Sequence, residues 1–118
     1  MSKHLELGKA GEAYAHTYLR AKGHVLLELN YRFGHKEVDV ISLLGDILVF
    51  TEIKTRSSYA LGYPEEAVNL RKQQWLKAAA EQYCGQHPEY EKLRFDVISI
   101  LMQRGKVAEL LHFEDAFY

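Results

Sequence analysis

Hydrophobic and polar positions along the chain change period in an order that predicts its elements. Over residues 5–21, Glu6, Lys9, His16, Thr17 and Arg20 fall on one arc at helical spacing, and Leu5, Leu7, Tyr14, Tyr18 and Leu19 on the other. This predicts a helix that stops at Gly23. Residues 24–31 read as a strand through Val25, Leu26, Leu27 and Leu29. Residues 37–44 and 47–55 read as two more, joined by Gly45-Asp46, a two-residue loop typical of tight hairpins. After a loop at 59–63, Pro64-Glu65-Glu66 carries the signals of a helix start, and that helix is expected to run to about Cys84. Its inner stripe is Val68, Trp75, Leu76, Ala79 and Tyr83. Strands at 95–102 and 107–113 close an α-β-β-β-α-β-β order, a mixed α/β fold in a single domain, 1–118.

Composition narrows the class without changing this picture. The 118 residues carry 15 Lys+Arg against 16 Asp+Glu, 47% hydrophobic and 26% charged, which excludes a disordered or fibrous chain. The longest apolar run, 47–50, is far short of a membrane span, and Met1-Ser2-Lys3-His4 opens no signal segment. With Cys84 alone there is no internal disulfide. A cytoplasmic protein with no membrane partner is expected. Near-neutral charge argues against coating nucleic acid by bulk attraction, so contact with a polyanion requires a local patch or a metal.

Charge interrupts the apolar pattern at three places. With Gly45-Asp46 as the turn, Leu44 pairs with Ile47 and Asp39 falls opposite Glu52, an arrangement that repels unless a cation lies between. A hard divalent ion takes oxygen ligands of this kind. On the second hairpin strand Leu48, Phe50, Glu52, Lys54 and Arg56 share a face, apolar giving way to charged, as where a sheet leaves its core to line a cleft. Carboxylates that hold a metal, with a lysine beside them, are what phosphodiester hydrolysis needs. The plainer reading, a solvated cross-strand ion-pair cluster, stands on equal terms with it. Glu12, at the border of the first helix's apolar arc, either needs a partner or reaches solvent or a cation such as Lys54, Arg56 or Arg32. Gly8 and Gly11 beside it would allow close helix–sheet approach. Arg56, Arg71, Lys72 and Arg94 are candidates for a phosphate patch, and Tyr59 and Tyr63 for base stacking.

At these residues the chain resembles a known family. Val38-Asp39 followed by Glu52-Ile53-Lys54 has the form of the PD-(D/E)XK motif, with valine in place of proline. Further blocks are Gly8-Lys9-Ala10-Gly11-Glu12, Asn30-Tyr31-Arg32, Glu37-Val38-Asp39-Val40-Ile41, 49–56, 62–68 with Lys72 after it, and Arg94-Phe95-Asp96-Val97-Ile98. Together they are similar to the YraN-like bacterial proteins, related to Holliday junction resolvases in the restriction endonuclease-like superfamily. Thr51 and Lys36 depart from the family's usual apolar residue and glycine.

The resemblance implies a restriction endonuclease-like αβββαβ core, a mixed central sheet flanked by helices, with an active site at the mouth of the hairpin. It implies Asp39, Glu52, Glu12 and the Ile53 carbonyl as ligands of Mg²⁺ or Mn²⁺, Lys54 as catalytic lysine, and Arg32, Arg56 and Lys72 as nucleic-acid contacts. The expected activity is metal-dependent endonucleolytic hydrolysis of DNA, on branched or otherwise structured substrates. The alternative is a non-catalytic nucleic-acid-binding or scaffold module that keeps the nuclease fold. A homodimer is expected as partner arrangement, with Leu110, Leu111, Phe113 and Phe117 able to pack against a copy.

Overall fold

The computed structural model describes residues 3–60, 62–64 and 68–118. Seven elements follow in the predicted order: α1 (Lys3–Ala21), β1 (Val25–Phe33), β2 (Lys36–Leu44), β3 (Ile47–Arg56), α2 (Leu70–Gln86), β4 (Lys92–Gln103) and β5 (Lys106–Phe117). The five strands form one sheet in the order β1-β2-β3-β4-β5. All neighbours are antiparallel except β3 and β4, which are parallel because α2 carries the chain back between them. No helix among the described residues is long and apolar enough to cross a membrane.

Each sheet face has its own core. On one side Leu48, Phe50 and Phe95 pack against Leu76, Ala79, Ala80 and Tyr83 of α2. On the other, Val40, Ile53, Ile98 and Ile100 pack against Ala15 and Leu19 of α1. Two-sided burial explains why β3 and β4 read as nearly continuous apolar runs rather than alternating ones. The buried side of α1 is narrower than expected. Tyr14 is about half exposed, Ala15 and Gly11 take the inner positions, and the side chain of Leu5 lies outside the described residues. Gly11 is required: a Cβ there would stand 2.1 Å from Thr55 Oγ1 on β3. Gly8 meets nothing within 4 Å and plays no such part.

The second helix starts later than Pro64 predicts. Asn69 is its N-cap, its side chain accepting from the Lys72 N–H at 2.9 Å, and Leu70 is the first helical residue. Pro64 is buried in the loop ahead of it, and Glu65 and Glu66 lie outside the described residues. Strand β4 starts earlier than expected and β5 continues to Phe117, extended past an irregularity described below. Leu110 and Phe117, both partly buried, pack against the two cores of their own chain.

Candidate active site

The Gly45-Asp46 hairpin has the predicted register. Leu44 pairs with Ile47, Ser42 with Val49, and Val40 with Thr51. In a two-residue hairpin these are the hydrogen-bonded positions, so Val38 and Ile53 would come next. They do not pair. The Ile53 N–H donates instead to Asp39 Oδ2 at 2.7 Å. The ladder thus ends one step before Asp39 would face Glu52, and the Asp39 carboxylate fills the opening. A strand residue's N–H and C=O point to the same side, so the Ile53 carbonyl faces this gap as well.

A change of phase in the two neighbouring strands produces the opening. Val38 and Val40, two apart, should share a face, yet Val38 belongs to the α2-side core and Val40 to the α1-side core. Their β1 partners are Tyr31 and Leu29, and between these Asn30 takes a left-handed backbone, φ 54°. Asn tolerates that region better than most residues. Asp39 therefore sits where β2 turns over.

Glu52 comes to the same place from β3, and α2 brings the neighbouring cation. Because Asn69 fixes the start of the helix, Lys72 lies in its first turn. Its Nζ is 3.3 Å from Glu52 Oε1 and 4.9 Å from the centre of the Trp75 ring. The other oxygen, Glu52 Oε2, is buried without a hydrogen-bond partner. Burial pushes the Asp39 carboxyl up to about 7, the Glu52 charge adds to the rise, and the Ile53 N–H opposes it. Burial raises Glu52 as well, with Lys72 and Lys54 pulling the other way. Two desolvated acids that repel each other hold protons more tightly than separate ones do.

The other predicted residues are distributed around this pair. Lys54 is exposed at the end of β3, close enough for Glu52 to feel its charge. Glu12 is half-buried on α1, and its charge reaches Asp39 across the Gly11–Thr55 contact. It does not join the pair closely: among the described residues no three His, Cys, Asp or Glu side chains converge enough to hold a metal. Arg56 donates from Nη1 to the carbonyls of Gly62 and Tyr63, at 2.9 and 3.1 Å, and so clasps the loop after β3. Tyr59 in that loop donates to Glu109 on β5. Arg32 is exposed at the far end of β1, opposite Glu37. Arg94 is committed to Asp96, which takes it out of any phosphate patch.

Asp39 and Glu52 suit a hard divalent cation by the chemistry of their donors. Both offer carboxylate oxygens, Glu52 Oε2 is buried without a partner, and a neighbouring positive charge would offset the burial that raises both groups and the Glu52 charge that raises Asp39 further. Asn69, which places Lys72, escapes a reading of the sequence. Its signal, an Asn directly before Leu70, is ordinary for a cap and weaker than the start signal at Pro64.

Comparison with known proteins gives a consistent family. The model of "Uncharacterised protein family UPF0102" matches residues 11–100. A UPF0102 protein of Dictyoglomus thermophilum is 40% identical over 114 residues, 95% of this chain and 97% of its own length. One from Syntrophomonas wolfei is 43% identical over 113 residues, with the same coverage of each chain. One from Bacteroides thetaiotaomicron is 38% identical over all of this chain and 97% of its own.

Proposed function

Taking as premise that this chain belongs to the UPF0102 family, we propose that it is a Mg²⁺- or Mn²⁺-dependent endonuclease that hydrolyses DNA phosphodiester bonds, on branched or otherwise structured DNA. The observation that carries this reading is the Asp39–Glu52 pair: two partly buried acids at an opened hairpin, with lysines from two different elements beside them. A fold gains nothing in stability from such a pair left without a cation, so the arrangement points to a ligand. It also agrees with the resemblance to restriction endonuclease-like nucleases.

In this reading Asp39, Glu52 and the Ile53 carbonyl would hold the ion, with Glu12 on α1 as the further acid that the resemblance implies. A bound divalent cation supplies polarisation of the phosphate and an acidified water. The chain's own groups do the positioning. The Ile53 N–H fixes one Asp39 oxygen and leaves the other to the site. Lys72 holds Glu52 in place, and Lys54 at the exposed end of β3 offsets charge on the scissile phosphate.

The test is calorimetric titration of Mn²⁺ into wild type and Asp39→Asn, followed by cleavage of a panel of duplex, nicked, single-stranded and branched DNA. Binding that disappears in Asp39→Asn together with metal-dependent cleavage is the expected result. The near-neutral charge of the chain favours a second reading, a non-catalytic module retaining the nuclease fold. Absence of metal binding in both proteins, even with an oligonucleotide present, would decide for it.

A further inference from the structure

A cavity of about 270 Å³ lies on the α2 side of the sheet, next to the acid pair. Its walls are Pro64 and Val68 from the loop ahead of α2 and Phe113 and Phe117 from β5, with Gln73 and Glu114 as its polar lining. Its floor is Val97, the cross-strand partner of both Glu52 on β3 and Phe113 on β5. Cavity and Glu52 therefore share one row across three strands, two strand spacings of about 4.8 Å from end to end.

The cavity is a product of β5's irregular course. Phe95 pairs with Phe117 and Val97 with Phe113, so the single residue Asp96 faces residues 114–116. On the opposite face the Asp96 carboxylate accepts from the Asp115 N–H at 3.0 Å, while Asp115 takes a left-handed φ of 51°. That anchor holds the bulge, and the bulge separates Phe113 from Phe117 enough to leave space between β5 and the loop.

From this geometry we infer that the cavity receives one unpaired nucleobase of the strand whose phosphate lies at Asp39 and Glu52, a conclusion that rests on the nuclease reading above. The volume suits a single base and is below that of most pockets for larger ligands. Aromatic and apolar walls are what a base extruded from its stack packs against. Both polar side chains present acceptors. Glu114 is a carboxylate, and Gln73 uses its Nε2 on the Val68 carbonyl at 3.2 Å, which leaves its oxygen available. Acceptors select an edge rich in N–H donors, so guanine is preferred over thymine. The substrate class is then DNA with at least one unpaired base beside the cut: a junction, flap, gap or single strand rather than intact duplex.

The experiment measures fluorescence anisotropy in EDTA, which keeps cleavage off, with labelled oligothymidylates carrying a central guanine, thymine or abasic residue. Wild type is expected to bind the guanine strand roughly tenfold more tightly than the abasic one, with thymine between. Phe113→Leu should reduce guanine and thymine binding alike toward the abasic value. Glu114→Ala, on an exposed side chain that carries the test should Phe113→Leu not fold, removes one of the two acceptors and should reduce the guanine-over-thymine difference severalfold while leaving thymine binding unchanged. Equal binding of all three strands by wild type, or base preferences untouched in Glu114→Ala, would overturn the pocket. Metal-dependent cleavage without base preference would refute the pocket and keep the nuclease. Base-selective binding with no metal-dependent cleavage of any DNA would keep the pocket and refute the nuclease.

Discussion

At Asp39 the fold holds a carboxyl in surroundings that favour its protonated form, and the sign of the consequence can be worked out. Unfolded, the group titrates at its ordinary 3.8; folded and metal-free, at about 7. The folded chain therefore binds the extra proton between these values, and this group's contribution to stability is lost as pH rises from about 4 to 7. Asp39→Asn keeps an oxygen for the Ile53 N–H and removes the charge. It should raise the melting temperature of the metal-free protein at pH 8 by roughly 4 °C or more, the shift that about 1 kcal/mol produces in a domain of this size. Because a cation competes with the same proton, Mn²⁺ affinity of wild type should increase from pH 6 to pH 8, as calorimetry at the two values would show. The two lysines separate by their effects. Lys72→Ala removes a positive charge beside Glu52 and should tighten Mn²⁺ binding by roughly threefold to tenfold while slowing cleavage. Lys54→Ala should abolish turnover with metal binding largely intact; equal cleavage by wild type and this variant would remove Lys54 from the chemistry.

Helix α1 and the hairpin act as units because one glycine lets them touch. Gly11→Ala drives a methyl into Thr55 and should cost about 1–3 kcal/mol in urea denaturation. Gly8→Ala, with open space around it, should stabilise α1 by up to about 1 kcal/mol through helix propensity. The two substitutions lie on one helix three residues apart, so opposite signs would demonstrate that contact and not propensity decides at Gly11. Element order, the hairpin register and the meeting of Asp39 with Glu52 were legible in the chain because each depends on local periodicity and one turn. The details that shape the site were not. The opening of the ladder at Ile53 follows from a phase change shared by Asn30 and Asp39 on different strands, which no single stretch of sequence encodes. Tyr14 and Ala15 exchanged roles because the approach at Gly11 narrows the buried stripe of α1. The start of α2 moved from Pro64 to Asn69 because the Asn69 side chain, accepting from the Lys72 N–H, is the cap that the first turn uses.

At the scale of the whole molecule, Asp96 joins β4 to β5. Fully buried, it accepts from Arg94 Nε and Nη2 at 2.8 Å, from His112 Nε2 at 2.7 Å and from the Asp115 N–H. His112 Nδ1 in turn shares a hydrogen bond with the Tyr18 hydroxyl at 3.0 Å, which ties β5 to α1. Burial alone would raise the Asp96 carboxyl, but His112, Arg94 and the Asp115 N–H together hold it below the ordinary carboxylate range. Its stabilising contribution is thus present above that range and lost as pH falls through it. Asp96→Asn should cost about 3 kcal/mol or more at neutral pH, measured by urea denaturation, because it leaves Arg94 without its counter-charge. The bulge that Asp96 anchors has a further effect on how copies of the chain meet one another. A long, flat outer strand invites another strand to add to it, and this sheet has two free borders. Both are broken: β5 at residues 114–116, where Glu114 and Asp115 are exposed, and β1 between Leu26 and Glu28 and again at Asn30. Neither border offers a regular row of unpaired amides and carbonyls, so the fold is protected from edge-to-edge polymerisation by the same distortions that shape its interior.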